Sequence, residues 1–86
     1  MNQATTKSLP LTALAVGETG VLEDDTAKAV SDRLCELGFV AGTHVKIVRR
    51  GLLGDPVEVE LRGYRICLRQ DDLSGLRVAP PERNSS

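Results

Sequence analysis

Aromatic side chains are almost absent from this chain. Phe39 and Tyr64 are the only two, and there is no tryptophan. Proteins that bind nucleic acid usually carry a basic excess, and those that bind single strands stack bases on aromatic rings. This chain has a net charge of −1, with its acids and bases interspersed. We therefore expect no nucleic-acid binding, and no aromatic-lined groove of the kind that recognises proline-rich peptides.

Cysteine and long apolar runs are scarce as well. Cys35 and Cys67 lie far apart in the sequence and form no CxxC motif, so we expect free thiols in a reducing compartment. No run approaches the ~20 apolar residues of a membrane-spanning helix. The segment 9–16 is interrupted by a proline and a threonine and is a poor signal peptide. These features predict a cytosolic protein without direct membrane insertion.

Groups suited to catalysis are missing too. The only histidine, His44, occupies an outward strand position with no serine or cysteine predicted beside it. There is no Gly-x-x-x-x-Gly-Lys phosphate loop, and the glycines at 51, 54 and 63 are explained as turn residues. A catalytic site needs converging groups with perturbed proton affinities. We therefore predict a binding protein that is not an enzyme and has no cofactor.

The length of 86 residues corresponds to one domain, which we place at residues 9–79 between flexible tails at 1–8 and 80–86. Residues 10–14 are expected to form one helical turn, followed by a strand at about 19–23. The strongest local pattern is an apolar stripe at helical spacing, which predicts a helix over about 25–37; the stripe consists of Ala27, Val30, Leu34 and Leu37.

The end of this predicted helix has a clear signature. Gly38 stands where a left-handed residue commonly closes a helix, and Phe39 then follows as the residue that packs back onto Leu34. Cys35 borders the apolar stripe and is expected to be half-buried.

After residue 43 the apolar period changes from 3.6 to 2, which predicts a three-stranded antiparallel meander. Its inward residues are Val45, Ile47, Val57, Val59, Leu61, Ile66 and Leu68. With Gly63-Tyr64 as a two-residue type II′ turn, Leu61 pairs with Ile66. The loop at 51–55 sets Lys46 opposite Glu60.

A turn or short helix at 70–74 and a last strand around 76–78 complete the chain. We therefore predict a mainly β fold with one helix, in which five short strands curl into a nearly closed small barrel and the helix covers one open end.

Several blocks of the sequence resemble the FeoA family. Residues 33–45 match the pattern R-L-x-E-L-G-F-x-x-G-T-x-V, and the stretches 14–20, 54–56 and 62–69 fit further blocks in the same order. The similarity covers about residues 9–79. The chain departs from the family at Ala41, where proline is common, and at Leu52-Leu53, where a proline often precedes Gly-Asp-Pro.

The resemblance implies an SH3-like barrel and a cytosolic accessory role in bacterial ferrous-iron uptake. The implied partner is the cytosolic part of FeoB, the membrane protein that carries a GTP-binding domain and moves Fe(II), with at most weak self-association. The alternative is a stand-alone SH3-like domain of a DtxR-type metal-dependent regulator. Those regulators place a helix-turn-helix ahead of this domain, whereas here about 18 mostly non-helical residues precede the first strand.

The predicted register groups three metal-ligand types on the outer face of the sheet. Glu60 would lie beside Cys67, with His44 diagonal to it, and all three side-chain types bind zinc or iron. Lys46 and Arg62 flank this patch, and two cations beside a dication are unfavourable. We therefore expect no metal site, and a half-buried thiol at Cys67.

The expected partner-binding residues are Arg50, Leu52, Leu53 and Tyr64. Adjacent leucines at a hairpin tip are unusual, and exposed apolar groups mark interfaces. The equal alternative is that one or both leucines fold back to close the open end of the barrel, since core is scarce in a small domain.

Overall fold

The structure, a computed structural model, describes residues 8–23 and 32–79. Most of the two predicted tails and the first half of the predicted helix lie outside the described residues. The strands are β1 (Leu9–Pro10), β2 (Thr19–Leu22), β3 (His44–Arg50), β4 (Val57–Leu61), β5 (Tyr64–Leu68) and β6 (Arg77–Ala79). The helices are α1 (Asp32–Leu37) and α2 (Gln70–Leu73), with 3₁₀ turns at Leu11–Ala13 and Leu52–Gly54.

The strands form one antiparallel sheet in the order β1-β6-β2-β3-β4-β5. The prediction of a mainly β, SH3-like fold is confirmed. The sheet has six strands rather than five, because Leu9 and Pro10 pair with Val78 and Arg77. It is open, since β1 and β5 stand at its two edges. A two-residue strand is too short to show the alternation by which the other strands were predicted.

The core lies against one face of this sheet. Phe39 is fully buried, as the helix-end signature predicted, and the predicted turn at 10–14 supplies two further buried leucines. The buried apolar residues are Leu11, Leu14, Leu22, Leu34, Phe39, Val45, Ile47, Val57, Val59, Leu61, Leu68, Leu73, Leu76 and Val78.

The C-terminus of α1 has the predicted hydrogen bonds. The amide of Phe39 donates to the carbonyl of Leu34 and the amide of Gly38 donates to Cys35, with Gly38 at a φ of 109°. This is the pair of bonds that defines a Schellman motif. Leu34 is 5% exposed, whereas Leu37 is half-buried. The expectation of a half-buried Cys35 was wrong, because its thiol lies on the exposed side of the helix.

The β3–β4 register agrees with the prediction at its centre. Lys46 pairs with Glu60 and Ile47 with Val59. Beyond Ile47 a bulge inserts one extra residue into β3, so that Arg50 rather than Arg49 lies opposite the buried Val57. A bulge re-aims the side chains that follow it, and this one turns Arg50 toward the core.

The predicted β4–β5 turn was wrong by one residue. The two central residues are Arg62 and Gly63, both with positive φ (51° and 86°), as a type I′ turn requires. Leu61 consequently pairs with Tyr64, and Val59 with Ile66. The slip moves the register by two residues, so every side chain keeps its predicted face.

Candidate functional site

The tip of the β3–β4 hairpin is a compact loop closed by its own backbone. The amide of Gly51 donates to Pro56, that of Gly54 to Gly51, and that of Asp55 to Leu52. A Cβ on Gly51 would come within 2.5 Å of the Asp55 carbonyl oxygen. The close approach of two backbone segments therefore requires glycine at position 51.

Two leucines project from this loop into solvent. Leu52 is 87% exposed and Leu53 is 93% exposed. Leu53 also has a left-handed backbone, with φ of 61°, a region that costs free energy for a residue with a side chain. The alternative in which these leucines close the barrel is therefore wrong. We call Leu52 and Leu53 the hairpin tip.

Residues at the start of α2 hold the loop in place. The Gln70 side-chain amide donates to the carbonyl of Gly54 at 2.8 Å, and its backbone amide donates to the Asp55 carboxylate at 2.8 Å. The guanidinium of Arg69 lies 3.6 Å from the same carboxylate. These long-range contacts fix the loop that presents the two leucines. Less conformational entropy is therefore lost when a partner binds this loop.

Arg50 contacts the protein itself. Its Nη2 donates to the carbonyl oxygens of Thr12 (2.8 Å) and Leu14 (2.7 Å), which belong to the end of the first 3₁₀ turn. The neighbouring Arg49 points outward, and its hydrogen bond to Glu58 at 2.6 Å raises the pKa of its guanidinium. The guanidinium of Arg50 therefore binds backbone carbonyls, whereas that of Arg49 binds a carboxylate of the sheet.

Tyr64 lies at the opposite end of β4 from the hairpin tip. Its hydroxyl donates to the carbonyl of Leu37 at the end of α1. Of the four predicted partner-binding residues, only Leu52 and Leu53 are brought together as an exposed surface.

Among the residues that the structure describes, one further apolar side chain is exposed that the sequence pattern did not single out. Val16 is 56% exposed, in a turn whose next residue, Gly17, donates its amide to the carbonyl of Ile47. This turn therefore lies beside the middle of β3. A valine next to glycine, outside any alternating pattern, is the signal that could have identified it.

The three residues of the considered metal patch are not all brought together. Cys67 pairs with Glu58, whereas Glu60 pairs with Arg65. The thiol of Cys67 is exposed rather than half-buried. Within residues 8–23 and 32–79, no group of three or more histidine, cysteine or acidic side chains is close enough to hold a metal ion. No helix in those ranges is long and apolar enough to cross a membrane.

A family model and several solved structures that resemble this chain all belong to one family. The FeoA domain model matches residues 9–80. FeoA from Chlorobium tepidum is 33% identical, over 83% of this chain and 69% of that chain, with a TM-score of 0.71. FeoA from Stenotrophomonas maltophilia, solved with zinc and described as a prokaryotic SH3 domain protein, is 31% identical over 87% and 89% of the two chains, with a TM-score of 0.62.

The same fold occurs in a larger protein. IdeR from T. acidophilum has a TM-score of 0.70 to this chain over 91% of this chain and 36% of its own length. Its identity is 20%, so this likeness shows the fold alone.

Proposed function

Because this chain belongs to the FeoA family, which places it in ferrous iron transport, we propose that it is a cytosolic accessory protein of that process. We propose further that it acts by docking its hairpin tip onto the cytosolic part of the FeoB transporter rather than by catalysis. The S. maltophilia relative, described as a candidate activating factor for ferrous iron transport, supports an accessory role. The likeness to IdeR concerns the fold alone and adds no second function.

The observation that carries this proposal is the exposure of Leu52 and Leu53 on a braced loop. Leaving two leucine side chains in water forgoes about 1.5–3 kcal/mol of burial for each. Gln70 holds the loop through Gly54 and Asp55, the residues that follow the two leucines. An apolar group presented in this way fits a complementary apolar pocket on a protein, where it would act as an anchor.

The test replaces both leucines by serine and measures two quantities. Thermal unfolding reports stability, and retention of FeoB from detergent-solubilised membranes on the immobilised protein reports association. We expect a melting temperature close to that of the unaltered protein, because neither side chain is in the core, together with lost retention of FeoB.

Two further variants sharpen the result. Replacing both leucines by methionine keeps the tip apolar and should preserve retention of FeoB. Val16→Ser tests whether the docking surface includes the turn at residues 16–17. Full retention of FeoB by the double serine variant would refute the proposed surface, whatever its stability.

A further inference from the structure

A second surface lies on the outer face of the sheet. The register sets Thr19, Lys46, Glu60 and Arg65 side by side across four strands. His44 lies two residues before Lys46 on β3, on the same face of the sheet, and pairs with Val21. The side chains of His44 and Lys46 are exposed, and so is that of Arg62 in the β4–β5 turn. We call His44, Lys46 and Arg62 the basic surface.

The two glutamates of β4 form ion pairs with arginines outside the basic surface. Glu60 lies opposite Lys46, but its carboxylate is 3.4 Å from the guanidinium of Arg65. Glu58 is bound by Arg49. Among the residues that the structure describes, neither Lys46 nor Arg62 has an acidic side chain within ion-pair distance. Within the described residues, the basic surface therefore carries two positive charges that form no ion pair.

Arg62 is presented from a fixed base. Its Cδ lies so close to Gly38 that a Cβ there would come within 2.8 Å, so the stem of Arg62 rests on the end of α1. The bond from Tyr64 to the carbonyl of Leu37 ties the same turn to the same helix end. The base from which the guanidinium extends is thus held in position before any ligand binds.

Two adjoining depressions run along this surface. One, of about 400 Å³, is lined by Ala41, Gly42, Thr43, His44 and Arg62. The other, of about 210 Å³, includes Lys46 and Glu60 and again His44 and Arg62. Both are open to solvent, whereas small-molecule sites bury most of their ligand. The two depressions share His44 and Arg62, so together they can hold an extended segment.

We propose that the basic surface docks an acidic segment of a protein partner, with carboxylates of that segment meeting Lys46 and Arg62. It lies at the end of β4 opposite the hairpin tip, so the two surfaces can be occupied at the same time. One chain would then join two segments of the same partner or of two partners. This proposal does not depend on the hairpin tip or on FeoB.

The test uses a short synthetic peptide in which glutamate alternates with glycine, and a matched peptide with glutamine in place of glutamate. Amide chemical shifts of the isotope-labelled protein are followed during titration. We expect the acidic peptide to shift the amides around His44, Lys46 and Arg62, with binding that weakens as salt is raised, and the glutamine peptide to produce no comparable shifts. Lys46→Gln and Arg62→Gln should each weaken binding by roughly two- to fivefold.

The control is Arg69→Gln, which changes net charge by the same amount near the hairpin tip. It should bind the acidic peptide as the unaltered protein does, and the amide spectra show directly whether each variant is folded. Unchanged affinity in the folded Lys46 variant overturns the proposal, as does equal weakening by Arg69→Gln. Inorganic phosphate is titrated in parallel; if it shifts the same amides as strongly as the peptide, the surface binds oxyanions generally and protein docking is refuted.

Discussion

Arg49 and Arg50 are adjacent in sequence, yet the bulge in β3 gives them opposite roles. Replacing Arg50 by methionine keeps the apolar stem and removes the guanidinium that binds the carbonyls of Thr12 and Leu14. Replacing Arg49 by methionine removes an ion pair whose arginine side chain is 72% exposed. The two variants lose the same charge and the same side-chain type.

The structure separates the expected costs. A hydrogen bond from a charged donor contributes about 1.5–3 kcal/mol, and Arg50 makes two of them at partly buried carbonyls. Because water can reach part of this site and replace some of what is lost, we expect Arg50→Met to lower the free energy of unfolding by about 2–3 kcal/mol in total. An exposed ion pair is screened by water and contributes little to stability, so Arg49→Met should cost far less than Arg50→Met.

Thermal unfolding followed by circular dichroism distinguishes these values. For a domain of this size about 1 kcal/mol shifts the melting temperature by roughly 4–8 °C. We therefore expect a loss of roughly 10–20 °C for Arg50→Met and only a small loss for Arg49→Met. Arg50→Lys should fall between, since an ammonium group lacks the planar fork of a guanidinium. Equal losses for the two methionine variants would show that the bulge does not direct Arg50 inward.

Three further outcomes test the fold and its surface. Leu34→Ala should destabilise the protein by about 2–5 kcal/mol and the half-buried Leu37→Ala by less, measured by urea denaturation; equal losses would contradict the burial of α1. Gly63→Val should cost about 1–3 kcal/mol through its positive φ alone, because nothing lies within 4 Å of the added Cβ, and an unchanged urea midpoint would argue against the turn at residues 62–63. Calorimetry should detect at most weak binding of Fe(II) or Zn(II) at His44 and Cys67, and a sub-micromolar site abolished by Cys67→Ser would overturn this.

Local chemistry determined much of the fold in advance. The end of α1 follows from Gly38 and Phe39, because a left-handed residue followed by an apolar one satisfies the last carbonyls of a helix and returns the chain to the core. The alternation in β3, β4 and β5 determined which side chains face inward, since a strand has a side-chain period of two.

The same period explains the error at the β4–β5 turn. A register shift of two residues leaves every side chain on its face, so the pattern of Val59, Leu61 and Ile66 cannot distinguish the two pairings. Turn chemistry gave no decision either, because Gly63 suits both the type II′ and the type I′ turn and Arg62 is uncommon at a positive φ. The misplacement of Cys67 beside Glu60 followed directly from this ambiguity.

Only the tertiary structure decided what the charged and exposed residues do. The bulge after Ile47 brings Arg50 to carbonyls of a turn that is distant in the sequence. A local pattern does not contain that contact, so it does not predict the bulge. Glu60 had two cations within reach across neighbouring strands and binds Arg65 rather than Lys46. The sequence identified Leu52 and Leu53 as unusual but left open whether they close the barrel or face solvent. That choice depended on Gln70 and Asp55, which hold the loop through long-range hydrogen bonds that no short-range pattern encodes.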